Sequence, residues 1–334
     1  MVQEQLDYMP VGLVAIGRNE GERLLRCLRS AIELVETIVY VDSGSTDGSV
    51  DAARNMGISV VELDLTIPFT AARARNAGFN HLLILNPEIE FIQFVDGDCE
   101  IAPGWIESAF QILKERADCA VVCGRRRERF PEQSIYNRLC DIEWDTPIGE
   151  TKACGGDAMM RVSAFKQVNG FNPSLIAGEE PELCVRLRQA GWKILRANAE
   201  MTLHDAKMLR FGQWWKRSQR SGHAYAEGAW LHGRPPERHW VRETTSILVW
   251  GLFLPLLSLG LAAVSHGFSL LLLLVYPILS ARIFINSTKT LPTKDAGFYA
   301  LFCVIGKFSQ ASGALQFYWR RLRGQQSLLI EYKD

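Results

Sequence analysis

Thr37-Ile38-Val39-Tyr40-Val41-Asp42-Ser43-Gly44-Ser45-Thr46-Asp47-Gly48 decides the fold of this chain. Five β-branched or aromatic residues run without a break into a turn rich in Asp, Ser and Gly. That pattern predicts a buried strand that stops abruptly in a polar loop. Upstream, Val11 to Ile16 ends in Gly17 and reads as another strand, and a helix follows from Glu22 to Leu34 with Leu24, Leu25, Leu28 and Ile32 on one face. Downstream come a helix over Ser49–Met56, a strand over Ser59–Leu63, a helix over Ala71–His81 and a strand over Phe91–Val95. Strands alternating with helices predict an α/β fold, a mostly parallel sheet with helices on both faces. Ligands of such sheets bind beyond the carboxyl ends of the strands, where the Asp42 and Asp96 clusters both fall.

Composition narrows the class. With 37 basic and 37 acidic residues the net charge is zero, which excludes a general nucleic-acid binder. The 8 cysteines include no Cys-x-x-Cys pair, which speaks against a zinc module or disulfide framework and for a reducing compartment. Met1 to Pro10 carries acids and no apolar run, unlike a signal peptide, so the N-terminal domain is expected in the cytoplasm.

Beyond Phe91 the pattern loosens. Arg125–Arg129 reads as a solvated charge run. Gly155-Gly156-Asp157 opens a strand over Ala158–Arg161 and a helix over Ala164–Val168. Glu179–Ala190 reads as a helix stopped by Gly191, and Glu200–Leu203 as a strand. Thr244–Val264 then runs 21 residues without a charge, close to the ~20 needed to cross a bilayer. Ser265-His266-Gly267 breaks the run, and Phe268–Ile285 forms a second span. Arg234, Arg238 and Arg242 precede the pair and Arg282, Lys289 and Lys294 close it, while the connecting loop has no Lys or Arg. The positive-inside rule puts both ends in the cytosol. Ala296–Arg323, interrupted by Lys307 and ending in Trp319-Arg320-Arg321, reads as an amphipathic helix in the membrane interface. The expected organisation is a catalytic domain over 1–206, an amphipathic connector over 207–243, two transmembrane helices over 244–285, and a cytosolic loop, interfacial helix and tail over 286–334.

Four constellations carry chemistry. Asp96-Gly97-Asp98 closes the strand FIQFV, so two carboxylates can converge on a hard cation such as Mg²⁺ or Mn²⁺, and Gly97 permits close approach to the backbone. Asp42, beside Ser43 and Gly44, can accept a base N–H, while Asp47 suits a helix cap. In Arg73-Ala74-Arg75-Asn76, Arg75 can meet a diphosphate or orient the carboxylates. Gly178-Glu179-Glu180-Pro181-Glu182-Leu183 offers carboxylates for a helix start or for deprotonating a hydroxyl.

Taken together, VAIGRNE, VYVDSGSTDGS, ARARNAG, FVDGDCEI, GGDAMMRVSAFKQVNGF and GEEPELCVRLRQAGW resemble the family-2 glycosyltransferases of the GT-A fold over about Val11 to Asp205. The resemblance implies a nucleotide-sugar donor and a divalent metal, Mg²⁺ or Mn²⁺. Ile16, Gly17, Glu20, Asp42 and Ser43 would line the nucleotide pocket, with Asp42 on a uracil. Asp96, Gly97 and Asp98 would form the metal motif, with His204 as a further ligand or diphosphate contact and Arg75 beside them. Glu180 falls where the family places its base, but the usual Glu-Asp is Glu179-Glu180 here, which leaves Glu179 open for that role. Gly155, Gly156 and Asp157 would border the acceptor, and Gln213-Trp214-Trp215-Lys216-Arg217 resembles a membrane-side segment of processive relatives, with a different residue order.

The expected activity is inverting sugar transfer from a nucleoside diphosphate to a membrane-associated, lipid-linked or glycan acceptor in surface polysaccharide or glycolipid synthesis. The anchor, not any lipid-reading residue, motivates that acceptor. Three rivals stand beside it. A sugar nucleotidyltransferase wants a longer Gly-rich loop than Gly17–Gly21. A non-catalytic scaffold sits badly with intact Asp96, Asp98 and Glu180. A polymer-exporting synthase needs more than two spans. Donor sugar, acceptor and oligomeric state are not legible in the sequence.

Overall fold

The computed structural model describes residues 9–331. The stretch whose composition argues against a signal peptide lies, up to Tyr8, outside the described residues. The chain divides into two compact units. The first comprises Met1–Arg129, Trp144–Leu175 and Glu179–Ala206; the second comprises Phe130–Glu143, Ile176–Gly178 and Lys207–Asp334.

The first unit is built on one sheet. Its strands are β1 (Val11–Gly17), β2 (Thr37–Asp42), β3 (Ser59–Glu62), β4 (Phe91–Asp96), β5 (Cys99–Ile101), β6 (Cys119–Glu128), β7 (Gly149–Glu150), β8 (Ala158–Arg161) and β9 (Lys193–His204). The order is β3-β2-β1-β4-β8-β6-β9-β5, with β7 on β9. The run β3-β2-β1-β4 is parallel, because helices return the chain between its strands. Beyond β4 the sheet is mixed: β8 pairs antiparallel with both β4 and β6, β5 and β7 pair antiparallel with β9, and β6 pairs parallel with β9. The expected mostly parallel sheet therefore holds for the first half, and the second half is mixed through pairings between strands distant in sequence.

Register does the work that matters for a site. Gly17 pairs with Asp42 across β1–β2, and Ile16 pairs with Asp96 across β1–β4. Both polar clusters thus leave the sheet at the same edge. Beneath them Leu13, Val14, Val39, Val41, Ile92 and Phe94 are fully buried, since strands covered on both faces can be apolar throughout. Phe94, Phe165 and Phe171 pack with ring centroids 5.3–5.5 Å apart and hold the Val162–Gln167 helix on the sheet.

One element corrects the sequence reading outright. Arg125–Arg129 is not a solvated loop; through Glu128 it is the distal half of β6, and Arg125 and Glu128 are buried. Each side chain finds an opposite charge: Arg126 meets Asp157 at 2.7 Å, Arg127 meets Glu200 at 2.7 Å, and Arg129 pairs with Glu100.

The second unit is helical. Phe211–His232 and Thr293–Leu322 pack so closely that a Cβ on Gly222 would overlap the Gln310 backbone and one on Gly313 would overlap that of Gln219. The Ile135–Glu143 helix joins this unit through Arg138, which holds Asp295 at 2.6 Å. Val241–Gly260 and Phe268–Ser287 are long and apolar enough to cross a membrane, and only 17% and 6% of their most apolar windows are buried. The first of them starts at Val241 and stops at Gly260, earlier than the uncharged run ends, because residues 261–267 form the turn. His266 and Gly267 close that turn in the left-handed region, at φ 47° and 87°. Ser258 and Ser269 exchange side-chain to carbonyl bonds of 2.8 and 2.6 Å between the two helices.

Candidate active site at the strand ends

Asp42 ends β2 almost completely buried. Its Oδ2 accepts the Gly44 and Ser45 amides, both at 2.8 Å, and its Oδ1 accepts the Tyr40 hydroxyl at 2.9 Å. Burial and the adjacent carboxylate push the Tyr40 phenol far above its usual range, so it is a donor at any ordinary pH. Asp42 therefore locks its own turn before it offers anything to a ligand. Asn19 crosses to the same turn: its amide donates to Ser45 Oγ at 2.9 Å and its Oδ1 accepts the Thr46 amide at 2.7 Å. Asp47 accepts the Ser49 amide at 3.1 Å within the turn, but the N-cap of the Ser49–Asn55 helix is Gly48 in the left-handed region and no side chain caps it, so the cap expected of Asp47 falls one residue off. Ile16 and Ser43 are buried nearby, and Glu20 pairs with Arg23 at 2.7 Å. Gly97 donates to Ile16 O at 2.8 Å, and a Cβ there would lie 3.1 Å from that oxygen, so its small size serves contact with β1.

The two carboxylates of Asp96-Gly97-Asp98 go separate ways. Asp98 is buried, with its Oδ2 3.1 Å from His204 Nε2. Asp96 faces guanidinium groups on both oxygens, Arg75 at 2.8 Å and Arg126 at 3.4 Å. The expected metal trio is thus only two-thirds assembled: Asp98 and His204 meet, and Asp96 is held aside as the partner of two arginines. Glu128 Oε2 lies 3.6 Å from His204 Nδ1, and the ring of Trp144 packs edge-on against the imidazole at 4.8 Å. Burial disfavours the imidazolium, but Asp98 and Glu128 outweigh it and raise the His204 pKa. A buried carboxylate and imidazole facing each other, with a second carboxylate behind the ring, form a donor set that suits a divalent cation.

Arg75 is the hinge pin of the site. It is fully buried, and its two amino groups reach Asp96 at 2.8 Å and Glu179 at 2.7 Å. Asp157 lies below. Its Oδ1 accepts the Asp96 amide at 3.0 Å, and its Oδ2 takes Thr202 at 2.8 Å and Arg126 at 2.7 Å. Asp157, expected beside the acceptor, is wholly buried and braces Asp96 from beneath. Gly155 is exposed, and Gly156 sits where a Cβ would come within 2.9 Å of Arg75 and 3.1 Å of Asp96, so only glycine leaves that approach open.

The Glu179–Gln189 helix presents its first-turn carboxylates in three directions. Glu179 is tied to Arg75. Glu180 accepts the Cys154 amide and, at 3.1 Å, the Cys184 thiol. Glu182 is gripped by Arg186, whose guanidinium also takes the Val168 and Gly170 carbonyls. Only Glu180 is held by neutral donors alone. Arg73, on the exposed side of its helix, secures the 64–68 loop through the Asp64 and Ile67 carbonyls.

Residues 14–168 match the glycosyl transferase family 2 model, and residues 140–210 match a model described as N-terminal domain of galactosyltransferase. Among curated proteins the chain is similar to glycosyltransferase AglE of Haloferax volcanii, 23% identical over 71% of this chain and 79% of that protein. It is also similar to succinoglycan biosynthesis protein ExoA of Rhizobium meliloti, 26% identical over 52% and 55%. Among solved structures, the mannosyltransferase PcManGT of Pyrobaculum calidifontis, in complex with GDP-Man and Mn²⁺, superposes with a TM-score of 0.64 over 94% of this chain and 89% of that one, at 18% identity. At that identity the likeness speaks to the fold, which is mixed α/β of the GT-A type.

Proposed function

We propose, for a chain that belongs to glycosyl transferase family 2 through residues 14–168 and is a glycosyltransferase, that it transfers sugar with inversion from a nucleoside-diphosphate donor to a membrane-associated acceptor. The observation that carries this reading is that the end of β4 carries two sets of polar contacts, Asp98–His204 and Asp96–Arg75–Glu179.

The contacts support a role for each residue. The turn locked by Asp42 receives the base, for which uracil is the reading motivated by the carboxylate. Asp98 and His204 are the residues that would hold a divalent cation. When bound, such a cation neutralises the charge that develops on the departing diphosphate. Arg75 keeps Asp96 and Glu179 fixed, so the wall of the donor site costs no reorganisation as charge develops. Glu180 takes the proton of the acceptor hydroxyl, the role that Glu179 is poorly suited to while paired with a buried guanidinium. Gly155 and Gly156 leave the acceptor side open.

A membrane-bound acceptor is supported by the two exposed apolar helices and by the relative involved in polysaccharide biosynthesis. The same features support a multi-pass chain with its catalytic unit in the cytoplasm, and an interfacial place for the Thr293–Leu322 helix. A donor screen tests the core of the proposal: purified protein, Mn²⁺ or Mg²⁺, and a panel of UDP-, GDP- and dTDP-sugars scored for transfer or hydrolysis. One nucleotide class should stand out, and turnover with none of them would sink the reading.

A further inference from the structure

The thiols of Cys154 and Cys184 flank Glu180. Their Sγ atoms are 3.7 Å apart, the Cys184 Sγ is 3.1 Å from Glu180 Oε1, and the Cys154 amide donates to that same oxygen. Cys184 is one helical turn after Glu180, so both project from one face of the Glu179–Gln189 helix. Cys154 comes from the loop before β8. The three candidate donor atoms all lie within 4.8 Å of one another, and all three residues are buried.

We propose that Cys154, Cys184 and Glu180 form a binding site for a thiophilic divalent cation of the Zn²⁺ class, and that loading it takes Glu180 out of the reaction. Two sulfurs at about 2.3 Å from one tetrahedral ion stand about 3.8 Å apart, close to the 3.7 Å found here. Two thiolates and one carboxylate suit Zn²⁺ or Cd²⁺ and repel neither; they are poor ligands for Mg²⁺ or Mn²⁺, which want oxygen. Three protein ligands leave a fourth position for water. On loading, each thiol gives its proton to solvent, two S–metal bonds and one O–metal bond form, and no electrons move. The site is therefore distinct in ligand chemistry from the Asp98–His204 pair. Its inhibitory half rests on the proposed role of Glu180; its cation-binding half does not.

The test uses the full chain in detergent with a phosphine reductant, and Cd²⁺ as the probe. Titration should give the ultraviolet thiolate-to-cadmium charge-transfer band, saturating at one equivalent. Cys154→Ser and Cys184→Ser should each abolish that stoichiometric step, and Glu180→Gln should weaken it by roughly tenfold or more. Cys184 is fully buried, so if Cys184→Ser does not fold, Cys154→Ser at the loop margin still decides. A band that survives both serine variants, or that depends instead on Cys99 beside Asp98 and His204, overturns the site. Sugar transfer should fall in step with the band. Cation bound with transfer unchanged would keep the site and overturn the role given to Glu180.

Discussion

Asp98 lies 3.1 Å from His204 and buried, whereas Asp96, two residues earlier, stands between two guanidinium groups. The pair should accordingly differ in function. Asp98→Asn keeps volume and a hydrogen-bonding group, so the thermal midpoint should stay within a few degrees while metal-dependent turnover disappears. Excess chelator should do the same to wild type, with Mn²⁺ or Mg²⁺ restoring it; full activity in chelator would refute the assignment. The carboxylates of the Glu179–Gln189 helix separate in the same way. Glu180→Gln should cut transfer by about 10²–10⁴ with nucleotide affinity near wild type. Glu182→Gln breaks a bidentate grip on Arg186 and should show mainly as lost stability. If Glu179→Gln abolishes transfer and Glu180→Gln does not, the base is one residue earlier. Asp42, Asp96, Asp98, Arg75 and Glu180 were legible because polar residues abruptly end apolar runs or cluster at a helix start. Arg126 and Glu128 were not. Strand alternation is invisible where every residue in the run is charged, and Arg125–Arg129 has no apolar face to betray β6.

The long Phe211–His232 helix carries His223 and Glu227 one turn apart and 3.5 Å from each other, His223 buried and Glu227 half-buried. That distance suits an ion pair, yet between about pH 4 and 7 burial favours both neutral forms: it lowers His223 to about 4, helped by Arg320 and Arg220, and raises Glu227 to about 7 against the pull of Arg321. The linkage signs are opposite. Glu227 has an ordinary value of 4.5, so between 4.5 and about 7 the folded chain holds more protons, and its contribution to stability is lost as pH rises through about 7. His223 has an ordinary value of 6.5, so its contribution grows from about 4 to 6.5 and then stops changing. Above pH 6.5 only the Glu227 loss remains. Wild type should thus melt lower at pH 8 than at pH 6.5, and Glu227→Gln should remove that drop, gaining roughly 1–3 kcal/mol at pH 8. Equal pH slopes for the two proteins would show that the carboxyl is not held neutral. Helix starts were readable at this scale: Thr70 caps Ala71–Leu85 by accepting the Arg73 amide at 3.1 Å. The end was not, because Leu82–Leu85 extends the helix with apolar residues, of which Ile84 is 75% exposed.

Across the whole chain, the apolar pair Val241–Gly260 and Phe268–Ser287 raises a question of topology that packing helps to pose. A core helix of a soluble protein is mostly buried, and these windows are 17% and 6% buried. Water would have to cover a large continuous apolar surface, which soluble proteins avoid. Thr293–Leu322 is longer still, but it buries Ala296, Ala300, Ser309, Ala311, Gly313 and Phe317 and carries Lys307, 3.2 Å from Ser246, in mid-helix. This contrast and the one-sided Lys and Arg support the proposal of two spans with both ends in the cytosol. Of the 8 cysteines only Cys303 is more than marginally exposed, so a Cys303→Ser background should label little. In that background, His266→Cys should react with a membrane-impermeant maleimide on intact cells, and Gln325→Cys only after permeabilisation. Labelling of Gln325→Cys from outside would make Thr293–Leu322 a third span. Protection of His266→Cys with labelling of Lys289→Cys would invert the hairpin, and with it the expectation that the sugar donor is drawn from the cytosol.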